Sequence, residues 1–343
     1  ALSKNVQDDS FVIESHDETI VGSMGYGAAW GDYDNDNDFD LYLSNWGANI
    51  LFENIPLSPF VNTSSILNVN SDSLSNGSGW GDFNNDGYLD IWAANIKKQD
   101  DLYLNLGDGN WDSTYSPVFY SATQDILPAD YNNDGWLDVF APGLRMIGSD
   151  DVAQFTSILY KNISSESNNN HWLKLDLEGS KIGIDNNGWT NKSNKSAIGA
   201  RIIVHLPDKS LSREIIAGKG HGSMDPLQLH FGLGQWEYID SITIKWPSVD
   251  NVLQQPKTIF YVGPLDGDKR YTVFEDIPYL FTRPKGDVNN DDLVNILDVL
   301  KIIEYLFNEI EFTDEEIWSA DLAIDSMIDV TDIVSLAKFI TTH

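Results

Sequence analysis

Three segments in the first half of the chain share one order of small, acidic and apolar positions. A run of small or mixed residues (GYGAAW from Gly25, NGSGW from Asn76, TQDILP from Thr123) leads into an acidic loop, and the loop leads into an alternating apolar run. Phe39, Leu41 and Leu43 fall on one side of that run, then Leu89, Ile91 and Ala93, then Leu137, Val139 and Ala141. Alternation of this kind is the period of a half-buried strand. A hairpin strand ending in Asn follows each time, in LFEN, LYLN and LYKN, and LGDGNW from Leu106 marks a tight turn. From about Asn168 the acidic loops stop. HWLKLDL alternates Leu173, Leu175 and Leu177, and ARIIVHL, LQLHFGLG, IDSITIKWPS and YTVFED follow, ending near Asp276. This predicts an all-β domain with a sandwich as its default architecture. Past Arg283 the period lengthens. Val299, Ile302, Ile303 and Leu306 are spaced as on a helix running from Ile296 to Phe307. The chain is therefore expected to be mainly β with a small α-helical tail.

The loops themselves read GDYDNDNDFD from Gly31, GDFNNDGYLD from Gly81 and ADYNNDGWLD from Ala129. Each sets oxygen-bearing side chains at positions 1, 3, 5 and 9, and the first carries five Asp residues. Two unit charges ~4 Å apart repel by about 4 kcal/mol at an effective dielectric of about 20. A divalent ion taking six to eight oxygens turns that repulsion into ligation, and calcium suits the geometry best. A polar turn without metal would explain one such loop but not three in register. Their first residues, Asp32, Asp82 and Asp130, lie 50 and 48 residues apart. A period of that length marks propeller blades or solenoids, and the small-residue runs suit inner strands crowded near an axis.

These units resemble FG-GAP repeats, also described as VCBS repeats, of integrin-like propellers, over roughly residues 11–165. The resemblance implies a partial β-propeller of three blades. It also implies calcium ligands at Asp32, Asp34, Asp36, Asp38 and Asp40, at Asp82, Asn84, Asp86 and Asp90, and at Asp130, Asn132, Asp134 and Asp138. Position 7 (Asp38, Tyr88, Trp136) would ligate through its backbone carbonyl. The first loop has Asn37 where the others have Gly87 and Gly135, and Asn tolerates the left-handed backbone better than most residues. Propellers close with at least four blades. The open edges then need the neighbouring domain, a second subunit or a longer chain to cover them.

The β domain resembles ASPIC/UnbV domains through SAIGAR at Ser196–Arg201, HFGLG at His230–Gly234 and WPS at Trp246–Ser248, with Val249 where that family usually has Gly. The Gly and Pro residues of these signatures read as turn geometry. The tail holds two loop-plus-helix units whose first residues, Asp287 and Asp321, are 34 residues apart. The first supplies Asp287, Asn289, Asp291 and, at position 12, Asp298 as a bidentate candidate. The second keeps Asp321, Asp325 and Asp332 but has Ala323 at a ligand position, and both lack the usual Gly at position 6, having Asp292 and Ser326. This arrangement resembles a dockerin module. That likeness implies calcium at one or two tail sites, and recognition of a cohesin-like partner through positions 10 and 11. Those positions are Ile296 and Leu297, then Val330 and Thr331. They read equally as a greasy docking face or as core of the helix packing. The expected domains are residues 1–165, 166–280 and 281–343.

Composition narrows the function. There are 53 acidic against 21 basic residues, a formal net charge of -32. Nucleic acid and anionic membranes need a basic patch that is missing. Cysteine is absent, and no run of about 18 apolar residues is present to span a membrane. The chain opens at Ala1, as a mature exported chain does and as a trimmed one would. His16, His171, His205, His221, His230 and His343 show no metal-ligand spacing, and no GxSxG elbow is present. GKGHGS at Gly218 reads as a turn, leaving Ser223 and His221 without a catalytic setting. Trp46, Trp92, Trp111 and Trp136 fit packing between blades better than sugar stacking. The expectation is a secreted, non-enzymatic calcium-binding adhesion or structural protein. Its tail would grip a cohesin-like domain or a neighbouring copy, giving a homo-oligomer or filaments. The alternative is a dockerin-tethered carbohydrate-binding or carbohydrate-active protein, which would make a glycan a further partner.

Overall fold

The computed structural model describes residues 2–6, 10–15, 24–96, 98–113, 122–143, 157–179, 193–219, 223–249, 256–275, 280–282, 286–291, 293–322 and 327–342. An antiparallel hairpin of β1 (Leu2–Val6) and β2 (Ser10–Ser15) comes first. The first repeat contributes β3 (Met24–Gly31), β4 (Asp40–Ala48), β5 (Ile50–Glu53) and β6 (Val61–Asn62). The second contributes β7 (Asp72–Gly81), β8 (Asp90–Ile96), β9 (Asp101–Asn105) and β10 (Trp111–Asp112), and the third β11 (Leu127–Ala129), β12 (Asp138–Ala141) and β13 (Ile158–Tyr160). Each acidic loop joins an inner strand to its antiparallel neighbour, and the closing pair is equivalent every time: Gly31 with Asp40, Gly81 with Asp90, Ala129 with Asp138. Loop length and strand register are thus one constraint.

The first two repeats are joined to each other. Trp46, Gly47 and Ala48 of β4 pair with Leu74, Ser73 and Asp72 of β7, so both repeats share one curled eight-stranded sheet, while the third forms its own three-stranded sheet. Tyr42 and Leu51 pack on Ile91, Ala93 and Tyr103, and Trp92 and Ala94 on the other face of β8 pack on Leu137, Val139 and Ala141. Every residue of β8 is buried, so the half-buried reading of that strand is corrected: it lies between two apolar layers. Burying one such Ile or Leu contributes about 1.5–3 kcal/mol. Small residues on the inner strands have a steric cause. A Cβ on Gly27 would lie 2.6 Å from the Asn76 carbonyl oxygen, and one on Gly77 would lie 2.2 Å from Asp125 Oδ1. Trp92 and Trp136 are buried, Trp111 packs on Tyr33 and Trp46 stacks on Tyr26, so all four are used in packing.

The β domain runs from β14 (His171–Glu178) through β15 (Arg201–His205), β16 (Ser210–Glu214), β17 (Leu229–Gly234), β18 (Tyr238–Val249), β19 (Pro256–Asp266) and β20 (Lys269–Phe274) to β21 (Leu280–Phe281). Two four-stranded sheets, ordered β17-β14-β20-β21 and β16-β15-β18-β19, enclose a core that includes Leu173, Leu175, Ile202, Phe231 and Trp246. Two strands escape the sequence pattern. β16 is short and polar (SLSRE), and β19 exposes Phe260 and Val262 on its outer side.

The tail contains α1 (Ile296–Leu306), α2 (Asp314–Ala320) and α3 (Val330–Thr342) around Val288, Val299, Ile302, Ala320 and Leu336. Asn295 and Asp298 form a capping box on α1, and Thr313 and Glu316 form one on α2. The short α2 is absent from the sequence reading, although its capping box TDEE is legible. It seats Trp318 against Phe274, with ring centroids 5.1 Å apart.

Candidate metal centres and the loop interface

One bonding scheme recurs in the three repeat loops. The position-1 carboxylate accepts from the position-6 N–H: Asp32 from Asn37 at 3.1 Å, Asp82 from Gly87 and Asp130 from Gly135, both at 2.8 Å. Position 3 accepts from the N–H of position 5: Asp34 from Asp36, Asn84 from Asp86, Asn132 from Asp134. Position 5 accepts from position 7: Asp36 from Asp38, Asp86 from Tyr88, Asp134 from Trp136. The position-9 carboxylate reaches the Asn ending the hairpin strand: Asp40 to Asn54, Asp90 to Asn105 and Asp138 to Asn162, at 2.9, 2.8 and 2.7 Å. Left-handed backbone at position 4 (Asn35, Asn85, Asn133) and position 6 (Asn37, Gly87, Gly135) lets the chain curl this tightly.

The first loop fits a divalent cation. One oxygen from each of Asp32, Asp34 and Asp40 lies within 4.8 Å of the others. Oxygens sharing one calcium at about 2.3–2.6 Å are at most about 5 Å apart. Asp32 Oδ1 is buried and has no hydrogen-bond partner. Burial pushes the Asp32 carboxyl up to about 7, Asp34 up to about 6 and Asp40 up to about 8. A group this reluctant to ionise alone is one a cation can hold ionised. Asp36 is exposed at the mouth of the loop, and burial raises Asp38 beside it. In the second loop burial pushes Asp82 up to about 7 and Asp90 well above the usual carboxylate range. A bound ion would supply charge compensation here, with no chemistry of its own.

Loops also hold one another. Asn105 Nδ2 donates to the Tyr33 carbonyl of the preceding loop at 2.8 Å, and Asn162 Nδ2 to the Phe83 carbonyl at 2.8 Å. In the other direction Asn35 Nδ2 donates to the Gly87 carbonyl and Asn85 Nδ2 to the Gly135 carbonyl, both at 3.1 Å. The sequence signal for this ladder is the Asn recurring at position 4 and at the end of each hairpin strand.

The β domain closes over the loops. Gly232 N–H donates to Asp82 Oδ2 at 3.1 Å and Gly234 N–H to the Asn85 carbonyl at 2.8 Å. Lys209 Nζ reaches the Asp86 carbonyl at 2.6 Å above the Tyr88 ring. Lys174 Nζ pairs with Asp130 Oδ2 at 2.6 Å, their side chains only 2% and 1% exposed. His230 Nε2 donates to the Gly135 carbonyl at 3.0 Å, and Arg201 lies over Phe39 and donates to the Asn37 carbonyl. The HFGLG signature therefore serves contact as well as turn. A Cβ on Gly232 would sit 2.1 Å from Asp82 Oδ2, and only Gly234 has left-handed backbone.

In the tail, Asp287 is buried and accepts from the Asp291 N–H at 3.1 Å, and Asn289 Oδ1 accepts from the same N–H. Asp291 accepts from Leu293 N–H. Asp298 is also buried; Oδ1 accepts from Val288 and Asn289, and Oδ2 from Asn295. The first tail set is thus gathered around one loop. In the second, Asp332 is buried at the start of α3 and Asp321 follows α2, while Asp325, like Asp292, Ala323 and Ser326, lies outside the described residues. Ile296, Leu297 and Val330 are 61%, 52% and 65% exposed, and Thr331 is exposed too. These positions face solvent and are not helix-packing core.

Residues 82–141 match the family model for the FG-GAP-like repeat, 190–276 that for ASPIC and UnbV, and 285–341 that for the dockerin type I domain. No curated protein matches the chain. FG-GAP and dockerin modules generally bind calcium and are typical of extracellular proteins, and a dockerin implies a protein partner. No helix among the described residues is long and apolar enough to cross a membrane.

Proposed function

We propose that this chain is a secreted, non-enzymatic adhesion or structural protein that assembles through its tail. Calcium would hold its loops, at three sites in the repeats and one or two in the tail. The observation that carries the reading is a duplicated apolar surface. Leu293 and Met327, Ile296 and Val330, and Leu300 and Val334 are all exposed, and each pair is 34 residues apart, the offset between Asp287 and Asp321. Apolar side chains left in solvent at equivalent points of both halves fit a surface covered by a partner. That partner is a cohesin-like β domain or the β domain of a neighbouring copy, and a head-to-tail contact between copies need not close, so it can grow into filaments.

The non-enzymatic part rests on the polar side chains that catalysis would need. His171 bonds Asp268, His205 lies between Ser210 and Thr243, His230 is held by Gly135, and Ser223 donates to Asp125. His221 lies outside the described residues.

Light scattering in calcium, on the full chain and on a chain lacking residues 284–343, tests the assembly. The full chain should form larger particles, and these should dissociate with EDTA. Equal particle size for both chains would remove the tail from self-assembly and leave a separate cohesin-like partner as the remaining version.

A further inference from the structure

The three parts of the chain divide its charge unequally. Residues 1–165 carry a formal net charge of -20 (25 acidic, 5 basic), residues 281–343 one of -10 (14 and 4), and residues 166–280 one of only -2 (14 and 12). Two bound calcium ions would leave the tail at -6, still acidic. Repeats of a neighbouring copy repel such a tail, and the near-neutral β domain repels it least, because electrostatic matching selects among surfaces of similar shape. One face of that domain is also apolar. Ile259 and Tyr261 of β19 point inward and pack on the sandwich core. The alternate residues Pro256, Thr258, Phe260 and Val262 point outward and carry no charge; Phe260 and Val262 are 67% and 83% exposed. Lys245 of β18 pairs with Thr258 and is exposed beside this row. On the strand pair, carboxylates return only past the register shift at Ile239–Ser241, with Asp240 and Asp266.

The rest of the chain leaves this face open. Among the described residues β19 pairs with β18 alone, at the edge of its sheet opposite β16. The repeats meet the domain from the other side, at Arg201, Lys209 and Gly232. The chain's own tail meets the other sheet, through Trp318 on Phe274 of β20. A long edge strand with apolar side chains in solvent is a surface made for a partner. Resting on the docking reading above, we propose that the occupant is the tail of a second copy. Its exposed stripe of Ile296, Leu300, Val330 and Val334 covers Phe260 and Val262, and Lys245 faces a carboxylate of the acidic tail. Each chain then gives one tail and receives one, so the contact is heterologous and growth stays open-ended.

Light scattering and cysteine cross-linking of full chains in calcium test this. Phe260→Ser combined with Val262→Ser should raise the concentration at which particles appear roughly tenfold or more, and the melting curve should stay in place because both side chains are exposed. The chain has no cysteine, so introduced ones report alone. Val262→Cys chains mixed with Val334→Cys chains should form disulfide-linked pairs of the two, because docking raises the effective concentration of one thiol at the other. Leu159→Cys, exposed on the third repeat, should link to Val334→Cys about tenfold less. Particles unchanged by the double serine variant overturn the proposal, as does linking at Val262→Cys no better than at Leu159→Cys. The cysteine pair decides the matter should the serine variant misfold. Loss of particles on removing residues 284–343, with particles kept by the serine variant, leaves the tail reading standing and rejects this face as its target. Particles that survive both changes reject the two together.

Discussion

The first and third acidic loops carry the same bonds on opposite terms. In the first, Asp32, Asp34 and Asp40 converge, the charge of the buried Arg213 lowers the Asp32 carboxyl without overcoming its burial, and position 6 is an exposed Asn. In the third, Asp130 is paired with the buried ammonium of Lys174, and position 6 is a Gly on which the β domain sits. A Cβ there would lie 2.0 Å from Trp172 Nε1. The glycine at position 6 is therefore needed for more than its left-handed backbone, because Asn37 adopts the same conformation at φ 73°. Gly is required where a side chain of the second domain packs onto position 6, and a side chain is tolerated where that domain reaches only the carbonyl of position 6, through Arg201. Charge follows the same division: the covered loop has a protein cation in contact with its first carboxylate, and the open loop has three converging carboxylates that a bound ion would hold together.

Removing the protein cation should have the largest effect. Lys174→Met leaves Asp130 buried and unpaired, and breaking such a pair costs about 3–5 kcal/mol. Calcium on the same loop would offset part of that loss, so the destabilisation should be larger in EDTA than in calcium. Calorimetry of both proteins under both conditions measures this. Coincident melts in EDTA would mean that the pair is not what holds the β domain to the third loop.

Exchanging the position-6 residues breaks the comparison from the steric side. Gly135→Asn should push Trp172 out of place and cost about 1–3 kcal/mol, the usual range for overpacking. Denaturant unfolding in calcium gives the value. A cost below this range would show that the β domain moves aside freely and that the contact across the third loop is loose.

This division was only half visible in the chain. The Asp and Asn side chains at positions 1, 3, 5 and 9 are legible because a nine-residue hairpin loop fixes them locally, whatever the rest of the protein does. Lys174, Arg201, Lys209, Arg213 and His230 are not legible, because they arrive from strands of another domain and nothing near them in sequence marks their target. Lys174 sits on the supposedly polar side of HWLKLDL, where alternation predicts solvent, yet only 2% of its side chain is exposed. The solvent-facing set Ile296, Leu297 and Val330 was open for the opposite reason. Helical spacing gives a face, and only the partner helices decide which face is core.

Acid separates the ion-dependent loop from the rest. Without metal, burial raises the Asp32, Asp34 and Asp40 carboxyls to about 7, 6 and 8, above their unfolded value of 3.8. Raised acids contribute stability that is full below about pH 4 and lost as pH climbs through 6 to 8. In EDTA the repeats should therefore become more stable as pH falls from 8 to 5. Protons and calcium compete for the same oxygens, so the gap between calcium and EDTA melting temperatures should be widest at pH 8 and should narrow toward pH 5. Relief of general acidic repulsion acts in the same direction over the whole molecule. Asp40→Asn isolates the loop: it should flatten the dependence by on the order of 1 kcal/mol. An unchanged slope would assign the effect to net charge alone.

The smallest expected change is the converse swap. Asn37→Gly keeps the N–H that bonds Asp32 Oδ2 at 3.1 Å and the carbonyl that Arg201 reaches, and removes a side chain exposed to water. Relief of left-handed strain is worth roughly 1 kcal/mol, and Gly returns about 0.4–1 kcal/mol of that as unfolded-state freedom. The two nearly cancel, so unfolding in calcium should shift by no more than about 0.5 kcal/mol. A larger loss would mean that the Asn37 side chain itself meets a partner, beyond the contact of Arg201 to its carbonyl, and the first loop would then be covered in its own way.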